Sequence, residues 1–456
     1  MLSLLDWLIN RFEGNRKAFA VSFFFFGTPV IYFLRDGVGL APNSTVFTAA
    51  FTFGSLLLAV PFRNSGRFYS FNKPIFSFII IYWIIALIYL AVYAPNRGWF
   101  TNTTVEFVYF LVLVVCAYIF AASPSSDFLA GLLTATLWIC LIGSVAMVII
   151  VLKDPTYVLG NRAAISFGVD KDGVSIGNPH IYGRSAFAGF VASILVRTMS
   201  KNPISRLFYL GCSFIFLLVI VLTQSFQTII ALLLFGVIFM YVRTTATNVY
   251  FLLKWIFGWR GFLTFLFLAC IVYYYLTYTD ILNRINHFYM IIGSRFEKVF
   301  SFLSFEEINP FLTPVKEITT DASALGRVET IGKVGEKIIE HIENKEWWWL
   351  LLGNGYHSLY VDSPMIQTFH DLGIIGFFSY LGMHIYILKY ALSEYKKSAH
   401  PALLFLCLFI IHTFVQNFVY GMPYDYTRWS FFIFMARILK DYRPLSIPPV
   451  VPSPKV

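Results

Sequence analysis

The chain has 456 residues and a formal net charge of +10, yet only 13% of its residues are charged and 58% are hydrophobic, for a mean hydropathy of +0.71. A water-soluble domain carries about a quarter of its residues as Asp, Glu, Lys or Arg, so the composition excludes an ordinary soluble domain. The basic excess gathers between apolar runs, as loop charges that orient a membrane protein do, and no nucleic-acid partner is expected.

In chain order, the first apolar run, Ala18 to Leu34, is long for a secretory signal and lacks a small-residue cleavage site. A bilayer core of about 30 Å needs about 20 apolar residues per helix. The hydropathy pattern predicts twelve helices, near 18–35, 46–62, 75–93, 104–122, 128–152, 184–199, 206–223, 226–243, 262–279, 372–392, 401–420 and 426–439. The last is short and carries Arg428 and Arg437 at its ends. The aromatic content, 50 Phe and 27 Tyr, suits lipid-facing surfaces and interfacial belts. Cys116, Cys140, Cys212, Cys270 and Cys407 all sit in apolar runs without metal-ligand spacing, so neither a disulfide framework nor a metal site is expected.

Orientation follows from alternate loops. Arg11, Arg16 and Lys17; Arg63, Arg67 and Lys73; Arg197, Lys201 and Arg206; Arg243, Lys254 and Arg260; Lys396 and Lys397; and Lys440 with Arg443 fall on one side. Those loops are read as cytoplasmic, which places both termini inside and puts 153–183 and 280–371 outside. The chain then divides into nine helices and a short outer loop (1–279), a large outer loop (280–371), three more helices (372–440) and a Pro-rich, disordered cytoplasmic tail (441–456). Within the large loop, Gly332 to Lys345 reads as an amphipathic helix, with Ile338, Ile339 and Ile342 on one face. The WWWLLL run at 347–352 is too short to span and reads as an interfacial anchor.

Candidate chemistry concentrates at the outer side. Arg184, beside His180, stands at the mouth of the sixth predicted helix; it is either a snorkelling helix-end charge or a functional cation, with Arg162 in the same loop. Arg327, in SALGR, is expected to open the amphipathic helix, where free N–H groups and a guanidinium together favour an anion. The run GNGYHSLYVDSPMIQTFHDLGIIGF (353–377) carries Tyr356, His357, Asp362, Ser363, His370 and Asp371. Asp or His there is a candidate base for an acceptor hydroxyl; Asp362 and Ser363 before Pro364 read equally as a helix cap. His384, His412, Gln416 and Asn417 are expected to hydrogen-bond between helices.

The order of LGR (325–327), KVGEKIIEHI (333–342), WWWLLLGNGY (347–356), DS (362–363) and GIIG (373–376) resembles the large periplasmic loop of the O-antigen polymerase and O-antigen ligase superfamily of membrane glycosyltransferases. The resemblance covers roughly 155–440. Ligases usually carry His-Asn where this chain has Asp362-Ser363, which is closer to the polymerases. Many members carry Ser-Arg where this chain reads TQSFQT (223–228), so Arg184 or Arg162 is a candidate replacement for that charge.

The resemblance implies an all-α polytopic, GT-C-like fold of about twelve transmembrane helices with a large helical periplasmic loop, in the bacterial inner membrane. It implies a glycosyltransferase that polymerises repeat units carried on undecaprenyl pyrophosphate and needs no metal or other cofactor. Arg327 and Arg184 would hold the leaving pyrophosphate, with Asp362 or His357 as base. Arg162, His180, Ser363, His370 and Tyr356 would bind substrate. The implied partners are the lipid-linked oligosaccharide, membrane lipids and a chain-length regulator. The rival readings are a ligase acting on lipid A-core or another acceptor, a flippase of lipid-linked sugars, and a structural subunit of an envelope assembly.

Overall fold

A computed structural model describes residues 2–61, 67–93, 103–153, 163, 166–169, 175–243, 322–397 and 400–441. The elements are α1 (Leu2–Phe26), α2 (Thr28–Tyr32) running into a π turn (Phe33–Gly37), α3 (Thr45–Ala59), α4 (Lys73–Tyr93), α5 (Thr103–Ala121), α6 (Ser125–Lys153), a hairpin of β1 (Ser166–Val169) and β2 (Ser175–Gly177), α7 (Pro179–Met199), α8 (Pro203–Thr223), α9 (Phe226–Arg243), α10 (Ala322–Glu343), α11 (Trp347–Leu352), α12 (Pro364–Lys397), α13 (Pro401–Val419) and α14 (Tyr426–Asp441). Proline starts are a recurring device: α7, α8, α12 and α13 each begin with Pro, whose missing N–H is lost at no cost at that position. Asn178 and Asn202 complete two of these starts, their side chains accepting from His180 N at 3.2 Å and Ile204 N at 2.9 Å.

Among the described residues, six helices are long and apolar enough to cross a membrane: α4, α5, α6, α8, α12 and α13. A seventh arises if Glu13–Phe26 and Thr28–Gly37, bent by 70°, form one broken span. The outward faces support that use, since Ile80, Ile84 and Ile88 on α4 and Val108 and Leu111 on α5 are exposed, a pattern suited to hydrocarbon rather than water. The remaining predicted spans differ for identifiable reasons. The helix expected over 18–35 breaks at Gly27, where a Cβ would run into Phe23. α3 and the apolar part of α9 are short. α7 is rich in small residues, which bury it among its neighbours rather than making it strongly apolar. α14 carries Arg428, Arg437 and Lys440. The helix expected at 262–279 lies outside the described residues.

The interior is built around α7, α13 and α14. α13 packs on α12, α9 and α7, and α7 packs on α8 and α6. Arg428 and Arg437, read from sequence as the ends of the last helix, are both buried within it, at 1% and 0% exposure. Arg437 donates to the carbonyls of Phe120 (3.1 Å) and Ser123 (3.3 Å) in the α5–α6 turn. The amphipathic helix exists but starts ten residues earlier than Gly332, and α11 stands with Trp347 and Trp348 exposed. The Tyr89 hydroxyl on α4 donates to the carbonyl of Leu352, tying α11 to the end of α4. The β1–β2 hairpin leads into α7, whose cap residue Asn178 donates to Tyr420 Oη at 2.8 Å, so the start of α7 lies beside the α13–α14 turn, and Gly421 N in that turn donates to Asp362 before α12 at 2.9 Å.

Candidate functional site

Two short segments shape one end of the bundle. The first, 353–363, is held by a crossing of backbones. α12 kinks at Gly373 (φ 64°, ψ −164°), and beside the kink the carbonyls of His370 and Asp371 accept from Asn354 N (2.9 Å) and Gly355 N (3.0 Å). Asp371, fully buried, accepts from Ser358 Oγ (2.7 Å), Gln367 Nε2 (3.2 Å) and Tyr424 Oη (3.3 Å). Three donors explain how a carboxylate is accommodated away from solvent.

The second segment, 420–425, is wrapped around Arg428. Its guanidinium donates to Asn417 Oδ1 (2.8 Å), Tyr420 O (3.2 Å) and Met422 O (3.3 Å). Gly421 (φ +96°) lies against that guanidinium, its missing Cβ leaving the space that Arg428 Nη2 occupies. Asp362 joins the two segments by accepting from Gly421 N at 2.9 Å, and Ser363 Oγ donates to Phe418 O at 3.0 Å.

Between these segments, α2 and the first turns of α5 and α7 lies a cavity of about 390 Å³. Arg184, Arg428, His180, His357, Glu106 and Asp425 contribute its ionisable wall. Arg184 is the most informative of them. Its Nε and Nη2 are buried and make no hydrogen bond among the described residues, while its Cζ stands 5.8 Å from the Phe409 ring centre. A guanidinium cannot shed its charge in a protein and offers five donors. Leaving such donors unpaired is costly, so the arrangement is suited to receiving an anion.

Glu106, in the first turn of α5, accepts from Tyr356 Oη at 2.8 Å through Oε2, and its Oε1 lies 3.8 Å from His357 Nε2. Burial holds the His357 imidazole down to about 4, against a smaller opposing pull from Asp371, so it is neutral at pH 7. His180 stacks on Tyr420 at 3.9 Å between ring centres, and its Nδ1 meets Ser225 Oγ at 3.0 Å.

Of the residues singled out from sequence, Arg184, His180 and His357 line the cavity, and Tyr356 lies behind it holding Glu106. Arg184 is a half-buried wall residue whose Nε and Nη2 are shielded from water. Asp362, Ser363 and His370 are not on the wall. Asp362 and Ser363 fix the turns, and His370 Nδ1 meets Ser358 Oγ (2.9 Å) and Asp371 Oδ1 (3.2 Å). Asp362 is therefore placed as a brace rather than as the base expected of it. Ser363 does precede Pro364 at the helix start, but its hydroxyl serves Phe418 rather than the helix.

Arg327 is the sixth residue of α10, beyond the four free N–H groups of the helix start. The expectation that it opens the helix is corrected, since Ala322 does; its side chain lies outside the described residues, as does Arg162. The TQSFQT stretch lies at the α8–α9 junction, where Ser225 and Thr228 pack on Gly183, one residue before Arg184. Sequence reasoning missed Glu106, Asp425 and the inward role of Arg428. A lone acid near the start of an apolar run was the available signal for Glu106. Among the described residues no group of three His, Cys, Asp or Glu is arranged to hold a metal ion. No protein-family model matches the chain, and no curated protein matches it.

Proposed function

We propose that the protein is a glycosyltransferase that polymerises oligosaccharide repeat units carried on undecaprenyl pyrophosphate, at the periplasmic face of a bacterial inner membrane. The observation that carries this reading is Arg184, a half-buried cation whose buried Nε and Nη2 make no hydrogen bond among the described residues, on the wall of a cavity it shares with Arg428 and with two carboxylates. A pyrophosphate leaving group needs positive charge where its own negative charge develops. A sugar hydroxyl attacking the anomeric carbon needs a nearby base. One cavity offers both kinds of group.

The proposed topology puts this cavity at the periplasmic side. Its wall lies beside segments 36–45, 353–363 and 420–425, which carry no Lys or Arg, as suits loops outside the cytoplasm. In this reading the chain is a GT-C-like protein of about twelve spans with both termini in the cytoplasm, and the exposed Trp347 and Trp348 rest at the membrane surface. The resemblance in the order of the loop motifs supplies the donor class, and the Asp362-Ser363 pair favours polymerase over ligase.

A second reading has its own observation. The 70° break at Gly27 brings α2, with Thr28, Pro29 and Tyr32, onto the cavity wall. Broken helices at a binding cavity are a hallmark of transporters, so a flippase of the same lipid-linked units is the competing function.

The test is Arg184→Ala in cells, with membrane insertion verified and surface polysaccharide resolved on gels. A polymerase predicts single repeat units still attached to their acceptor and no longer chains. Loss of every attached repeat would favour the flippase, and accumulation of unattached long chains the ligase. A normal ladder would overturn the role given to Arg184.

A further inference from the structure

We infer that Glu106 is the general base that activates the acceptor hydroxyl, and that Tyr356 and His357 are its positioning residues; this rests on the polymerase reading. The cavity wall holds two carboxylates among the described residues, and they are not equivalent. Asp425 Oδ1 accepts from Thr427 N (2.9 Å) and Thr427 Oγ1 (2.7 Å), closing the start of α14. Glu106 is held through one oxygen only. Oε2 takes the 2.8 Å bond from Tyr356, and Oε1 accepts no hydrogen bond among the described residues. The side chain remains 11% exposed, on the cavity side.

The neighbours orient that second oxygen without consuming it. Gln367 Nε2 lies 3.4 Å from His357 Nδ1. An amide nitrogen donates, so Nδ1 accepts and the ring proton sits on Nε2. That N–H faces Oε1 from 3.8 Å, too far for a hydrogen bond but close enough for its dipole to favour a carboxylate. His357 itself adopts φ +52°, just after the 354–355 backbone bonds to His370 and Asp371 of α12. Tyr356 and His357 therefore reach Glu106 from a loop 250 residues further along the chain, which is more support than a helix-start acid needs for its own sake.

The step balances. The acceptor sugar hydroxyl gives its proton to Oε1 of Glu106 as its oxygen bonds to the anomeric carbon of the donor. The bond from that carbon to the pyrophosphate oxygen breaks, and the electron pair leaves with the pyrophosphate toward Arg184 and Arg428. Glu106 then releases the proton to water.

The experiment measures single-turnover condensation of undecaprenyl-pyrophosphate-linked repeat units by the full-length protein in nanodiscs, alongside binding of undecaprenyl pyrophosphate alone. Glu106→Gln keeps an oxygen for Tyr356 but cannot take a proton. It is expected to lower the rate by about 10²–10⁴-fold with undecaprenyl pyrophosphate binding unchanged. Glu106→Ala is expected to regain part of its rate with added formate, a response that a merely structural role would not give. Tyr356→Phe is expected to lower kcat and leave KM in place. An active wild type with Glu106→Gln within about threefold of it, or a formate-insensitive Glu106→Ala, would overturn the role of Glu106 alone. A wild type that binds the lipid but condenses nothing would overturn the polymerase reading itself.

Discussion

Gly353 and Gly373 lie backbone against backbone. A Cβ on Gly353 would strike the carbonyl of Asp371 and the amide of Gly373, and a Cβ on Gly373 would strike the carbonyl of Leu351 and the amide of Gly353. Both residues also have positive φ, +84° and +64°. This crossing lets the 353–363 segment take up the carbonyls beside the kink of α12, and so it carries Tyr356 and His357 to the cavity.

Gly373→Ala tests the crossing. Its φ and ψ fall in a region that is essentially restricted to glycine, at a cost of about 1–3 kcal/mol for another residue, and the clash adds to that. The expected outcome is a lower unfolding midpoint and loss of condensation together, with Gly353→Ala doing the same. A thermal melt in nanodiscs that matches wild type for either variant would show that the two backbones can separate freely.

Arg184 gives the opposite expectation. Its buried Nε and Nη2 have no hydrogen bonds among the described residues, so the free protein bears the cost of burying that charge without full compensation. Arg184→Met is expected to leave stability unchanged or raise it by about 1–3 kcal/mol, while weakening undecaprenyl pyrophosphate binding. Thermal melts and lipid binding on one preparation check both halves. A destabilised Arg184→Met would mean the guanidinium is structural.

The contrast between Arg184 and Glu106 says what could be read in advance. Arg184 stood out because a charge beside a polar loop breaks an apolar pattern. Glu106 breaks a pattern too, but an acid in the first turn of a helix is what the helix dipole favours anyway, so it passed as ordinary. Its partner Tyr356 is distant in sequence, and nothing local announces the pairing.

Arg428 and Arg437 misled for a related reason. Charged residues flanking a short apolar run look like membrane boundaries, yet their partners are largely carbonyls of turns, at Tyr420, Met422, Phe120 and Ser123, which no hydropathy window registers. The interhelical bonding expected of the late helices was legible for His384, His412 and Asn417, because polar side chains in apolar helices gain by finding partners, whereas the buried Gln416 Oε1 meets none among the described residues. His384 meets Asn417, and His412 meets Thr228.

Asn417 is the keystone of that bonding. Its Oδ1 accepts from both Tyr380 Oη (2.7 Å) and Arg428 Nη1 (2.8 Å). Asn417→Ala strands two buried donors, one of them charged, at an expected cost of about 3 kcal/mol. Asn417→Asp keeps an acceptor for both and is expected to lose less stability. Chemical or thermal unfolding of the three proteins ranks them, and an Ala variant as stable as the Asp variant would show that Arg428 finds other acceptors.

His357 predicts a pH dependence with a definite sign. Its folded value, about 4, lies below the ordinary 6.5, so the unfolded chain takes the proton first as pH falls. Folding stability is unaffected by this group above about pH 6.5, declines through the interval down to about pH 4, and declines no further below it. At about 1.4 kcal/mol per unit, the loss between pH 7.5 and 4.5 is about 2–3 kcal/mol. Asn tolerates the positive φ of this position and does not titrate, so His357→Asn isolates the effect from the carboxylates that also titrate in this range. Wild type is expected to lose about 2–3 kcal/mol more than His357→Asn over that interval, read from unfolding midpoints at matched ionic strength. Parallel curves would mean that the folded protein takes up the imidazole proton as readily as the unfolded chain does, and the neutral Nε2–H facing Glu106 would then be lost below about pH 6.5.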